Sequence, residues 1–355
     1  MQYNKAVKIW LVIGCVMLFF QIFIGGVTRI TGSGLSITKW EIVTGTLPPF
    51  NDAQWQAEFD LYKSTPQYEK INQGMSMSKF KFIYFWEYFH RLWARMMGFV
   101  FLFPFLFFVF KKWLDRKILF RLSYVILAAM TAAIFGWIMV ASGLVNRPWV
   151  NAYKLSLHLG IALLTYCLLL WTTFIAFNPS RPYANNYFKK AVKYLFVFIA
   201  IQIFFGAIVS GMRASLYYPS WPDMNGHFIP PVLFDPASWN INNLIEYDKN
   251  AFMPALIHVL HRNWGYFVYF FGLYLSIRML RYPLLKRDHI MAVALIVLLN
   301  VQVLLGILTL VNSQGTIPVF YGVMHQSIAI FILTVILFMN YAFRQQDSEV
   351  VNDRR

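Results

Sequence analysis

Long runs of apolar residues, separated by polar segments, dominate the chain. The runs fall roughly at 6–28, 82–110, 120–144, 153–177, 190–212, 253–279, 289–312 and 319–343. Each run is long enough to cross a bilayer as a helix, since about 20 consecutive apolar residues are needed. The pattern therefore predicts an all-α polytopic membrane protein with eight transmembrane helices.

The composition agrees with a membrane protein and argues against a soluble domain. Of 355 residues, 59% are hydrophobic and only 13% are charged, which is too apolar for an ordinary soluble domain. The net charge of +16 invites a nucleic-acid function. However, the basic residues collect in short loops, as cytoplasmic loops of membrane proteins require. Nucleic-acid binding is therefore not predicted, and the bilayer is the expected surrounding.

The basic residues also predict the orientation. Lys and Arg are concentrated near the N-terminus, in the C-terminal tail and in the loops near 111–121, 178–193 and 278–287. An even number of spans puts both termini on one side, and the positive-inside rule makes that side cytoplasmic. The first run lacks a small-residue cleavage site and follows no Arg/Ser-rich transit peptide, so we expect a retained helix in a bacterial plasma (inner) membrane.

The second half of the chain repeats the first with an offset of roughly 170–180 residues. The matching elements are Gln21-Ile22-Phe23-Ile24-Gly25 with Gln202-Ile203-Phe204-Phe205-Gly206, Gly136 with Gly306, and His158 with His325. The repeat predicts two tandem, pseudo-symmetric four-helix bundles. Residues 1–180 would form one bundle with outer loop 29–81, and residues 181–355 the other with outer loop 213–252. We expect both loops to be caps, with a short helix around 52–62.

Four histidines lie at similar depth in four different apolar runs: His90, His158, His261 and His325. At about 1.5 Å per residue, all four lie roughly 8–12 Å below the outer surface. Intramembrane histidines are costly and usually functional. Two facing pairs suit two haems, whereas zinc needs three or four ligands that converge on one point. The sequence therefore favours two haem sites.

The residues beside the histidines differ between the halves. Arg91 and Arg262 directly follow a candidate ligand and are candidate partners of haem propionates. The alternative for Arg91 is an ion pair with Glu87, four residues earlier. Glu87 occupies the position that His258 has in the second half, which suggests that the first site performs chemistry and the second carries electrons. His258 also stays open as an alternative ligand.

With these residues the chain resembles the haem A synthase family over nearly its whole length. The motifs are Gly26-Val27-Thr28-Arg29-Ile30-Thr31-Gly32-Ser33-Gly34-Leu35-Ser36, Glu87-x-x-His90-Arg91 and Trp221-Pro222-Asp223-Met224-Asn225-Gly226, with His158, His261 and His325. The resemblance implies that His261 and His325 ligate a resident haem b. It implies that His90 and His158 hold haem O, with Glu87 as the catalytic carboxylate.

The reaction that this family performs is oxidation of the C8 methyl of haem O to a formyl group. The resemblance further implies haem O synthase and cytochrome oxidase assembly factors as partners, and leaves the electron donor open. Some members carry a cysteine pair in the outer loops. Here Cys15 and Cys167 both fall in predicted helices, so the chain resembles the branch without that pair.

Two other functions remain open on the residues alone. A dihaem electron-transfer cytochrome that oxidises quinol explains the four histidines. It does not explain why Glu87 replaces His258, nor the two elaborate outer loops. A haem transporter or chaperone explains the loops and the arginines, but needs no two permanently ligated sites.

Overall fold

The computed structural model describes residues 3–39, 47–144, 147–177 and 186–344. In this part of the chain the secondary structure is helical apart from one isolated bridge between Met224 and His227. The α-helices are α1 Lys5–Ile30, α2 Asp52–Lys63, α3 Met77–Phe110, α4 Arg116–Ala141, α5 Ala152–Phe177, α6 Asn186–Gly211, α7 Ala214–Tyr217, α8 Ile241–Ile245, α9 Phe252–Leu280, α10 Lys286–Val311 and α11 Val319–Arg344.

Within the described residues, 7 helices are long and apolar enough to cross a membrane: α1, α3, α4, α5, α6, α10 and α11. The prediction of an all-α, multi-pass membrane protein is confirmed. The run predicted at 253–279 is helical as α9 but is not among the seven. Its first half carries His258, His261 and Arg262, which lower its hydropathy.

Polar capping residues explain where several long helices begin. The side chains of Asn4, Ser76 and Asp115 accept hydrogen bonds from the backbone N–H groups that open α1, α3 and α4. Such caps satisfy N–H groups that have no partner within the helix. Ser76 therefore starts α3 at Met77, several residues before the apolar run predicted at 82.

The chain divides into two compact units, one spanning Tyr3–Leu169 and the other beginning at Leu170. In the second unit, α6 packs on α9, α9 on α10, α10 on α11, and α11 on α6. These contacts close a ring of four helices. The fully buried side chains of this unit include Leu195, Leu275, Leu295 and Ile336.

In the first unit, α1 packs along α3. Trp10 contacts the rings of Phe101 and Phe108, and its indole N–H donates to the carbonyl of Val100 at 3.3 Å. Outside the apolar part of α3, the short helix α2 covers the first turns of α3. Phe59 and Tyr62 of α2 form a buried cluster there with Phe80. The predicted helix around 52–62 is therefore confirmed.

Tyr62 ties this cap to the segment that follows α1. Its hydroxyl donates to Gln67 Oε1 at 3.0 Å and accepts from Asn72 Nδ2 at 2.6 Å. Gln67 in turn donates to the carbonyl of Gly32 at 3.0 Å. Burial raises the pKa of Tyr62 to about 12, so the phenol is neutral at ordinary pH.

We expect Tyr62→Phe to loosen the cap, because it removes the hydroxyl that bonds to the buried Gln67 and the half-buried Asn72. A loss of about 1 kcal/mol in the stability of the closed cap would raise the population of molecules with an open cap about fivefold. Limited proteolysis of the purified protein, with cleavage within 52–76 read by mass spectrometry, measures this. Tyr124→Phe, on an exposed face of α4, is the control. Equal cleavage of both variants would contradict the role of Tyr62.

The same phenol gives the cap a pH dependence. The pKa of Tyr62 in the folded state lies above the ordinary value of 10. The folded protein therefore binds the phenol proton more tightly than the unfolded chain does. The stabilisation is complete below pH 10 and is lost as the pH rises through 12.

Candidate haem-binding sites

Each of the four predicted ligand histidines lies against a glycine of a neighbouring helix. A Cβ atom added at these glycines would approach the imidazole far more closely than the about 3.5–4.0 Å of a carbon–carbon contact. The added atom would lie 3.1 Å from His90 at Gly25, 3.0 Å from His158 at Gly136, 2.9 Å from His261 at Gly206 and 2.9 Å from His325 at Gly306. The absence of a side chain at these four positions is what admits the imidazoles.

In the first unit, a set of polar contacts aligns α1 with α3 around His90. The amide of Gln21 lies 2.9 Å from His90 Nε2 and 3.3 Å from the His90 carbonyl. One turn further along α3, the Trp93 indole donates to the Met17 carbonyl at 2.9 Å. These contacts fix the register of the two helices at the candidate ligand.

In the second unit, α6 and α9 repeat two of these three contacts around His261. Gln202 donates to the His261 carbonyl at 3.0 Å, and the Trp264 indole donates to the Phe198 carbonyl at 2.9 Å. The same residue types, at the same spacing along the helices, make these contacts in both units. The sequence repeat therefore corresponds to a repeated helix packing.

The other two histidines are held by backbone carbonyls. His158 Nδ1 lies 2.9 Å from the carbonyl of Ala132, and His325 Nδ1 lies 3.0 Å from that of Gln302. A carbonyl only accepts, so Nδ1 carries the proton and donates. In the neutral ring Nε2 then keeps its lone pair, as a metal-binding imidazole requires.

The second pair fits an iron centre. The rings of His261 and His325 have centroids 6.4 Å apart and planes at 79°. A metal between two imidazoles separates their centroids by about 6 Å, because a bond of about 2 Å and about 1 Å of ring count on each side. The described residues contain no group of three or more His, Cys, Asp and Glu side chains that converges on a point.

Glu87 is buried and holds the segment after α1. Its Oε2 accepts from the backbone N–H of Ser36 at 2.7 Å, the Ser36 hydroxyl at 2.8 Å and the Ile37 N–H at 2.9 Å. Its Oε1 accepts from Arg91 at 2.5 Å. A carboxylate with 3% exposure needs such donors, because desolvation of a charge is otherwise very costly.

Arg91 completes this arrangement, which we call the Glu87 clamp: Glu87, Arg91, Ser36 and Ile37. The guanidinium of Arg91 also donates to the carbonyls of Ile37 and Lys39, both at 3.2 Å. The ion pair predicted as the alternative role of Arg91 is therefore present.

Arg262 holds the outer loop of the second unit in a comparable way. It donates to the carbonyls of Pro222 and Phe228, and its guanidinium stacks on the Phe228 ring at 4.5 Å. His258, at the position of Glu87, is buried beside Tyr218, with ring centroids 6.4 Å apart. The second unit thus has an arginine clamp on its loop without a carboxylate at the equivalent position.

Comparison with known proteins identifies the family. A family model described as cytochrome oxidase assembly protein, COX15-CtaA, matches residues 8–337. The chain is similar to the haem A synthase of Flavobacterium johnsoniae, with 39% identity over 339 residues, which cover 94% of this chain and 97% of that protein.

Two further haem A synthases agree. That of Nitrosospira multiformis is 37% identical over 97% of this chain and 95% of its own length. That of Rickettsia rickettsii is 37% identical over 94% of this chain and 97% of its own length. The chain belongs to the COX15-CtaA family. The membership predicted from the motifs is confirmed, while the branch without the outer-loop cysteine pair stays a prediction.

The sequence also contained a signal for residues that we did not assign to the sites. The segment from Gln21 to Gly25 indicated a repeat, but its Gln-x-x-x-Gly spacing also marks the face that contacts a histidine. Ser36 ends the family motif that begins at Gly26, yet no local pattern relates it to Glu87, 51 residues later. The two cysteines lie in α1 and α5 and are not joined in a disulfide.

We expect Gly206→Ala or Gly306→Ala to displace the facing imidazole and to lower the haem content per protein. Overpacking of this kind costs about 1–3 kcal/mol, or roughly five- to 150-fold in binding. Extracted haem per purified protein measures the effect. Gly160→Ala in α5 is the matched control, since an added Cβ there meets nothing within 4 Å. Full haem content in the Gly206 and Gly306 variants would show that the contact is dispensable.

Proposed function

We propose that the chain is a haem A synthase in which the two units have different tasks. The first unit binds haem O, whose C8 methyl is oxidised to a formyl group, and the second holds a resident haem b. Family membership and relatives named haem A synthase support this activity. The observation that carries the site assignment is the spacing of His261 and His325, whose ring centroids lie 6.4 Å apart.

His261 and His325 are the residues that would hold haem b. Gly206 and Gly306 give their imidazoles room, and the Gln302 carbonyl orients His325. A bound haem b supplies one-electron chemistry, which the protein directs by position and electrostatics.

His90 and His158 are the proposed ligands of the substrate haem O. Arg91 is a proposed partner of its propionates, because this side chain borders a cavity of about 90 Å³ that Lys39 and Trp137 also line. Two cationic side chains at one cavity suit carboxylates. Arg262 is proposed for the same role at haem b.

Glu87 is the proposed catalytic carboxylate. It is three residues before His90 and therefore on the same face of α3. Its oxygens hold a negative charge beside the substrate site, where they can take a proton or stabilise positive charge.

The topology that we propose has eight transmembrane helices in two tandem, pseudo-symmetric bundles. α9 is the eighth span, since it packs on both α6 and α10, which are apolar enough to cross. We place both termini in the cytoplasm and the protein in the bacterial inner membrane. Haem O synthase and assembly factors of cytochrome oxidase are proposed partners.

The assignment of the two pairs is tested by exchanging one histidine at a time. In protein purified from cells that make haem O, His261→Ala or His325→Ala should deplete haem b. His90→Ala or His158→Ala should instead deplete haem O and haem A. Extraction and chromatography of the haems measure both. Two equivalents of haem B alone in the wild type would favour the electron-transfer cytochrome instead.

We expect Glu87→Gln to stop haem A formation and to leave haem b content unchanged. The amide keeps an oxygen for the Ser36 and Ile37 donors but removes the charge. Ser36→Ala is the matched control, because it removes one clamp hydrogen bond and keeps the carboxylate. Chromatography of haem A from both variants separates the roles. Equal loss of haem A in both would assign Glu87 to anchoring of the loop and not to chemistry.

A further inference from the structure

One position in the repeated helix contacts departs from the other three. Four residues before each site glycine, on the helix that faces the histidine, stand Gln21, Gln202 and Gln302 in α1, α6 and α10. The fourth position, before Gly136 in α4, is Ala132. His158 is therefore the candidate ligand whose neighbouring helix has a methyl group where the others have a carboxamide.

The three glutamines lie directly against the histidines. Gln21 Nε2 is 2.9 Å from His90 Nε2, and Gln302 Nε2 is 3.3 Å from His325 Nε2. Gln202 donates to the backbone carbonyl of His261 at 3.0 Å. The Oε1 atoms of all three are buried and have no hydrogen-bond partner among the described residues. Each carboxamide thus fills space beside an imidazole and supplies a donor there.

Ala132 differs from its counterpart Gln302 only in the side chain. Both residues accept a hydrogen bond from histidine Nδ1 through the backbone carbonyl, at 2.9 Å for Ala132 and 3.0 Å for Gln302. Both glycines that follow admit the imidazole at nearly the same distance, 3.0 Å and 2.9 Å. The backbone arrangement is therefore the same, and the volume and donor of a glutamine side chain are missing beside His158.

The two units need opposite behaviour from their haems. A resident cofactor must stay bound, whereas a substrate must enter and its product must leave in every cycle. Resting on the function proposed above, we propose that Ala132 makes the first site exchangeable. The small side chain leaves room beside His158 for a substituted iron porphyrin to pass, and Gln302 closes the equivalent space at the resident site. Ala132 and Gln302 act through position and not on the reacting atoms.

The experiment measures the loss of each haem from full-length protein to excess apomyoglobin. The haems that remain are extracted and separated with time. In the wild type, haem O and haem A should leave faster than haem b. Ala132→Gln should slow the loss of haem O and haem A severalfold, because the larger side chain fills the space beside His158. Gln302→Ala should accelerate the loss of haem b by a similar factor.

Ala133→Gln is the matched control, since Ala133 lies on the exposed face of α4. If Ala132→Gln keeps its normal haem b content but takes up no haem O, the proposal is also supported. Haem O binding then requires the space beside His158. Rates for Ala132→Gln equal to those of Ala133→Gln overturn it. If Ala132→Gln loses both haems through misfolding, Gln302→Ala decides: faster haem b loss supports the proposal, and a wild-type rate overturns it.

The histidine exchanges described above distinguish this failure from failure of the proposed function. If His90→Ala removes haem O and His261→Ala removes haem b, the assignment of the units stands. An unchanged Ala132→Gln then refutes the exchange role alone. If His261→Ala removes haem O instead, the assignment of the two units is wrong.

Discussion

The contact between an imidazole and a glycine of the neighbouring helix is the constraint on which both sites depend. Lipid tails are as apolar as leucine side chains, so apolar surface alone does not hold membrane helices together. Close approach and polar contacts must do so. At His158 and His325 the missing Cβ of glycine lets the ring reach a backbone carbonyl one turn away. The same contact therefore sets the distance between helices and the orientation of a ligand.

The long helices were predictable because a bilayer offers the backbone no partners. Every spanning segment must satisfy its own N–H and C=O groups, and this forces apolar runs of sufficient length into helices. Helix ends were less predictable, because polar caps set them. α3 begins at Met77, because the side-chain oxygen of the preceding Ser76 accepts a hydrogen bond from a backbone N–H of the first turn. α9 was predicted as a spanning helix but is not among the seven most apolar ones. Its polar site residues lower the hydropathy of the segment.

The candidate ligands could also be found in the sequence, but their surroundings could not. Histidines in apolar runs are conspicuous because their burial is costly. Apart from Glu87, the partners of Arg91 and Arg262 come from loops more than thirty residues away in the chain, such as Ile37 and Phe228. No local pattern encodes such contacts. The glutamines were visible as part of a repeat, yet only the packing of α1 on α3 gives Gln21 its neighbour.

The two units differ in side chains beside the ligands and not in the backbone contacts that position them. Contacts made by the backbone or by glycine are the same in both, including the carbonyls that hold His158 and His325. Some side chains differ, as Glu87 against His258 and Ala132 against Gln302, while the indole contacts of Trp93 and Trp264 are the same in both. Backbone contacts set the position of a metal ligand, so a duplicated bundle can keep them while side chains change. Both exchanges lie within one turn of a ligand contact, where a new side chain alters the chemistry of a site without moving its ligands.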